Sequence, residues 1–181
     1  MVPNLITIIR LILTPVIFWL ASFDDTSMLV ICFLLFLLAC FSDWLDGYIA
    51  RHYDQITPLG TFLDPLTDKM LVLGFLFLFS TQGLIPLWVS LIILFRELFV
   101  SGMRSLALRQ GSIIGANWMG KTKFILQILL IFCVLGFRIL NSVDMAPPMG
   151  TELIYWFALI VMGVSMGFAL NFLRWHIDKL K

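Results

Sequence analysis

The sequence predicts an all-α integral membrane protein of six transmembrane helices with both termini cytoplasmic. Hydrophobic residues make up 61% of the 181 positions and charged residues 13%, whereas an ordinary soluble domain is roughly 45–50% apolar. Mean hydropathy is +1.02. Apolar runs approach or pass the ~20 residues that a helix needs to cross ~30 Å of hydrocarbon, and no alternating ~10-residue segments suggest a barrel. Lys and Arg collect at alternate ends of these runs, as retention of positive charge in cytoplasmic loops requires.

The spans are expected at about 5–22, 28–51, 59–80, 84–109, 118–140 and 151–174, forming a single membrane domain over 1–181. The first contains "LILTPVIFWLA" after Arg10. It resembles a signal peptide, but no small-x-small cleavage site follows, so it is read as a retained span. The polar turn "SFDDTS" separates it from the second span, "STQGLIP" separates the third from the fourth, and "NSVDMAPPMG" the fifth from the sixth. The second and fourth spans look longer than a bilayer requires, which implies tilt or projection into the cytosol.

Those three turns carry no Lys or Arg, and Arg138 alone lies near their side. Arg10, Arg51, Lys69, Arg104, Arg109, Lys121, Lys123, Arg174, Lys179 and Lys181 fall at the opposite ends, which are therefore cytoplasmic. A net charge of +1 leaves no basic excess for nucleic acid. Cys32, Cys40 and Cys133 lie in apolar runs without metal-ligand spacing and read as packing residues. The six Trp (19, 44, 88, 118, 156 and 175) read as interfacial anchors, and His52 and His176 as solvated surface groups.

The segment "SDWLDGYIARHYDQITPLGTFLDPLTDK" places Asp43, Asp46, Asp64 and Asp68 in this apolar chain. At 3.6 residues per turn, Asp43, Asp46, Gly47 and Ala50 share one helix face, and Gly60, Asp64 and Asp68 form a stripe on the next helix. The short connection makes the helices antiparallel, so both acidic faces can enter one polar cavity at the cytoplasmic side. Four close carboxylates repel one another, and each is costly at low dielectric, so a cation is required. Hard oxygen ligands in this number suit Mg²⁺ or Mn²⁺, with bridging carboxylates able to hold two ions about 3.5–4 Å apart. A nearby carboxylate can also serve as general base. Gly47, Ala50 and Gly60 leave the face uncrowded for a phosphate-bearing ligand. The competing reading, helix caps and salt bridges to Arg51 and Lys69, explains one aspartate better than four in register.

Asp43-x-x-Asp46-Gly47-x-x-Ala50-Arg51, eight residues, then Gly60-x-x-x-Asp64-x-x-x-Asp68 resembles the full signature of the CDP-alcohol phosphotransferases. The resemblance implies a six-helix membrane enzyme, usually a homodimer, that transfers a phosphatidyl or related group from a CDP-linked donor to a hydroxyl and releases CMP. It implies that Asp43, Asp46, Asp64 and Asp68 ligate two divalent ions at the donor pyrophosphate, and that Asp68 also deprotonates the acceptor. Donor contacts map to Gly47, Arg51, Thr57 and Gly60, and to Asn4 and Thr7 in "PNLIT". The alternative for Arg51 is a structural role, its stem packing against the third helix.

The acceptor is addressed by "FRELFVSGMRSLALRQG" and "GKTKFILQ". Arg96, Glu97 and Arg104 share a helix face by spacing, and Lys121 begins the next helix, a cluster suited to an acceptor phosphate. Positive-inside bias accounts for Arg109 and Lys123 but poorly for Arg96 and Glu97, which lie within an apolar run, where ions are paired and functional. These segments and the N-terminal "PNLITIIR" resemble the phosphatidylglycerophosphate synthases. CDP-diacylglycerol and glycerol 3-phosphate are the substrates so implied, Glu97 would orient one of the cations, and a bacterial inner membrane is the expected location. The alternatives are the same chemistry with another acceptor (phosphatidylglycerol, inositol phosphate or serine), or a small cation carrier using the intramembrane aspartates. Gly163-x-x-x-Gly167 is a close-packing motif for dimerisation or for contact within the chain.

Overall fold

A computed structural model shows six helices in chain order: α1 (Val2–Leu20), α2 (Thr26–His52), α3 (Pro58–Thr81), α4 (Leu87–Arg109), α5 (Trp118–Ser142) and α6 (Gly150–Leu180). It describes the backbone of residues 2–52, 58–109 and 118–180, and the side chains of 9–42, 67, 69–103, 105, 118 and 120–174.

The elements fall where hydropathy places them, with ends set by local backbone chemistry. Asp25 caps α2, its Oδ1 accepting from the amides of Ser27 at 2.9 Å and Met28 at 3.1 Å. After α3 the chain turns at Gly83 (φ 73°), the Leu84 amide donating to the Phe79 carbonyl at 3.0 Å and the Gly83 amide to Ser80 at 3.2 Å. Asp144 (φ 56°) does the same after α5, with Met145 N–H to Leu140 at 2.9 Å and Asp144 N–H to Asn141 at 3.2 Å. Both are Schellman closures, which need a residue in the left-handed region. The turn through Gly83 and Pro86 delays α4 to Leu87, so α4 has 23 residues and is not notably overlong. The long element is α6, with 31.

Among the described residues, Gly120–Ser142 and Gly150–Arg174 are long and apolar enough to cross a bilayer. Only 33% and 28% of these stretches is buried, unlike the core helix of a water-soluble protein. Large apolar side chains stand exposed on every helix, among them Ile12, Leu38, Met70, Phe95, Ile125 and Ile160. Apolar exposure on that scale marks a surface made for lipid or a partner.

The chain divides into two compact units. The first comprises Met1–Leu78 and Val134–Pro147. In it α1 packs on α2, and Ile17, Leu29, Cys32, Phe36, Leu71 and Phe75 are buried. Phe75 meets Phe18 and Phe36 edge to face, with centroids 5.3 Å away in both cases. Gly74 makes room for this cluster, since a Cβ there would enter the Phe18 ring. Arg138, 6% exposed, donates Nη1 to the Ala21 carbonyl at 2.5 Å and Nη2 to the Phe23 carbonyl at 2.9 Å and to Asp24 Oδ1 at 2.8 Å. This fastens the end of α5 to the α1–α2 turn and satisfies carbonyls that the end of a helix leaves without internal donors.

The second unit comprises Phe79–Cys133 and Pro148–Lys181. Here α4 packs on α6. The buried positions follow helical spacing: Val89, Ile93, Arg96, Glu97 and Val100 on α4, and Ile154, Ala158, Val161, Ser165 and Ala169 on α6. Arg96, Glu97 and Ser165 thus occupy inward positions where apolar residues would be expected.

Candidate active site

The acidic stripes lie on two uninterrupted helical segments. Asp43, Asp46, Gly47, Ala50 and Arg51 belong to α2, and Gly60, Asp64 and Asp68 to α3. Spacings of three, four and seven residues therefore act as helical spacings, as the sequence requires for shared faces. The side chains of Asp43, Asp46, Gly47, Ala50, Arg51, Gly60, Asp64 and Asp68 lie outside the described residues, as do those of Asn4, Thr7 and Arg104 and the whole of Thr57.

The other half of the predicted site is described in detail. Arg96 and Glu97 are 8% and 5% exposed. Arg96 Nε donates to the Ser165 carbonyl at 3.1 Å, and Nη1 donates to Glu97 Oε1 at 2.9 Å. The same oxygen accepts from Lys123 Nζ at 2.5 Å. One carboxylate oxygen therefore serves two cations, one a sequence neighbour and the other on α5. Buried ions are tolerated only when paired and hydrogen-bonded. Arg96 is thus paired, as an ion within an apolar run requires.

Lys123, assigned from the sequence to general positive-inside bias, is instead drawn into the network with its side chain 12% exposed. Lys121 is solvent-exposed at the beginning of α5. The distinction was available in the sequence. The buried positions Gln127, Leu130, Ile131, Val134, Leu135 and Arg138 form one stripe along α5, and extending it back by one turn reaches Lys123, not Lys121. Gln127 and Ser165 add to this polar layer, with Gln127 Nε2 and Ser165 Oγ buried and without hydrogen-bond partners among the described residues. These two residues drew no attention in the sequence.

Chemically, the second unit thus offers a partly neutralised cationic cluster inside an apolar helix pair, suited to holding an anion. The first carries two acidic helical stripes, a donor set suited to hard divalent cations.

Comparison with known proteins follows the same lines. Residues 1–170 match the family model for CDP-alcohol phosphatidyltransferase. The chain is 38% identical over 145 residues to a CDP-diacylglycerol–glycerol-3-phosphate 3-phosphatidyltransferase of Bacillus subtilis, covering 74% of this chain and 75% of that protein. A protein of the same name from Rickettsia bellii is 36% identical over 90% of this chain and 91% of its own length. A probable phosphatidylglycerophosphate synthase of Mycobacterium tuberculosis is 39% identical over 68% of this chain and 60% of its own.

Proposed function

The chain belongs to the CDP-alcohol phosphatidyltransferase family, and from that premise we propose that it is a transferase of phospholipid biosynthesis, moving the phosphatidyl group of CDP-diacylglycerol to glycerol 3-phosphate. The products are phosphatidylglycerol phosphate and CMP. The observation that carries the choice of acceptor is the similarity, over up to 90% of the chain, to proteins named for this reaction. The buried Arg96–Glu97–Lys123 cluster agrees with it, because an acceptor bearing a phosphate gives such cations a purpose. A neutral acceptor would not.

In this reading Asp43, Asp46, Asp64 and Asp68 hold two divalent ions, Mg²⁺ or Mn²⁺. The four carboxylates fit hard cations in number and charge, and the helical segments bearing them give the stripes their register. Bound there, the ions supply charge neutralisation for the pyrophosphate. Arg51 pairs with a donor phosphate, Gly47 and Gly60 allow its close approach, and Asn4, Thr7 and Thr57 line the cytidine side. Arg96, Arg104 and Lys121 hold the phosphate of glycerol 3-phosphate. Asp68 takes the proton from the attacking hydroxyl. A new P–O bond forms to the glycerol oxygen as the phosphoanhydride bond breaks, the CMP phosphate taking the electron pair.

We place the protein in a bacterial inner membrane as a single six-span catalytic domain, its termini and active site facing the cytoplasm. Two strongly apolar, outward-facing helices support the membrane assignment. A homodimer is supported by α6, where a Cβ at Gly163 or Gly167 would meet nothing within 4 Å, leaving that small-residue face open in the protomer.

The test uses purified protein with CDP-diacylglycerol and Mg²⁺ or Mn²⁺. CMP release is followed with glycerol 3-phosphate, phosphatidylglycerol, inositol phosphate or serine. Release that depends on glycerol 3-phosphate is expected; release with another acceptor alone, or with none, overturns the assignment.

A further inference from the structure

We infer that Glu97 is the positioning residue of the acceptor site, acting by fixing the guanidinium of Arg96; this rests on the reading of Arg96 as a ligand of the acceptor phosphate. Adjacent residues on a helix project about 100° apart and do not ordinarily face one another. The Glu97 carboxylate nevertheless spans that angle to Arg96 Nη1 while receiving Lys123 Nζ. Arg96 Nε is committed to the Ser165 carbonyl on α6. Two of the three guanidinium nitrogens are thus pinned by different helix positions, which fixes both the plane of the group and its rotation. The third, Nη2, has no partner among the described residues and is the nitrogen left to an incoming anion.

Fixing matters because a guanidinium already held in place loses less freedom when its remaining nitrogen binds an anion. Lys123 has a different task. By binding the carboxylate from the α5 side it holds Glu97 across to Arg96, so the order of action is Lys123, Glu97, Arg96, ligand.

The discriminating experiment compares Glu97→Gln with the double variant Glu97→Gln/Lys123→Met in the full-length purified protein. Gln removes the charge that holds both cations. The double variant also removes the Lys123 charge that Glu97 had accepted, which relieves part of the buried charge imbalance. If Glu97 positions Arg96, Glu97→Gln raises the KM for glycerol 3-phosphate roughly ten- to a hundred-fold, while the KM for CDP-diacylglycerol stays within about twofold. The double variant then regains thermal stability but keeps the raised KM, and Glu97→Asp, which retains the charge, lies between wild type and Gln.

A KM that returns to the wild-type value together with stability in the double variant means that Glu97 only balances charge, and overturns the inference. An unchanged KM for glycerol 3-phosphate in both variants overturns it equally. If Glu97→Gln fails to fold, the double variant alone decides between these outcomes. Wild-type protein that releases no CMP with glycerol 3-phosphate refutes the assigned reaction instead, which keeps the two failures apart.

Discussion

Replacing Arg138 with Met should destabilise the protein far more than removing Asp24, its acidic partner among the described residues. Arg138 makes three described hydrogen bonds, to the carbonyls of Ala21 and Phe23 and to Asp24. Their worth differs. The Asp24 side chain is 96% exposed, so that ion pair competes with water and contributes little. Phe23 is also exposed, and its carbonyl can return to solvent. Ala21 is fully buried, so its carbonyl gives up a charged donor that water does not replace. A hydrogen bond to a charged group is worth about 1.5–3 kcal/mol when buried, and the exposed Phe23 bond adds less. With Met retaining most of the stem packing, Arg138→Met should cost about 2–4 kcal/mol, whereas Asp24→Asn should change nothing measurable. Thermal unfolding in detergent, followed by circular dichroism, should then show a fall of roughly 5–15 °C for the former alone. Equal losses in the two variants, or none for Arg138→Met, would refute the view that backbone carbonyls and not the ion pair hold this joint.

Gly74→Ala forces a methyl into the Phe18 ring and should cost roughly 1–3 kcal/mol by overpacking, read in the same melt, with Phe18→Leu in the same chain recovering part of it. Asp68→Asn should abolish CMP release while leaving the melting temperature near wild type; retained turnover removes its role as base. Arg104→Ala should raise the KM for glycerol 3-phosphate roughly tenfold or more with little change for the lipid donor, and an effect confined to the donor would move Arg104 out of the acceptor site.

Helix number and position were legible because long apolar runs separated by Pro, Gly and Asp turns leave few alternatives in a chain this hydrophobic. The ends were less so. The start of α4 depends on Gly83 adopting a positive φ, and the length of α6 on how far its polar tail continues past Arg174, which hydropathy does not register. The acidic stripes were visible as spacing alone. That Arg96 had to be paired was also visible, since an ion in an apolar run has few other fates. The rest of the network was not visible, because Lys123, which meets Glu97, lies 26 positions from it, and the other contact of Arg96 is the backbone carbonyl of Ser165, which has no signature in sequence. Arg138 illustrates the same limit. By side-counting it was an exception to charge asymmetry, while in the fold it is consumed by carbonyls of the α1–α2 turn and by Asp24.

The outward apolar faces and inward polar layer invert the usual map of mutational tolerance. Leu98, Ile125 and Ile160 are exposed, and an exchange of one greasy side chain for another there has no neighbour to disturb. Ser165 and Gln127, polar and uncharged, are 1% and 2% exposed. A library randomised across this chain should therefore find its freest positions among the bulky outward hydrophobic ones that a soluble protein would guard.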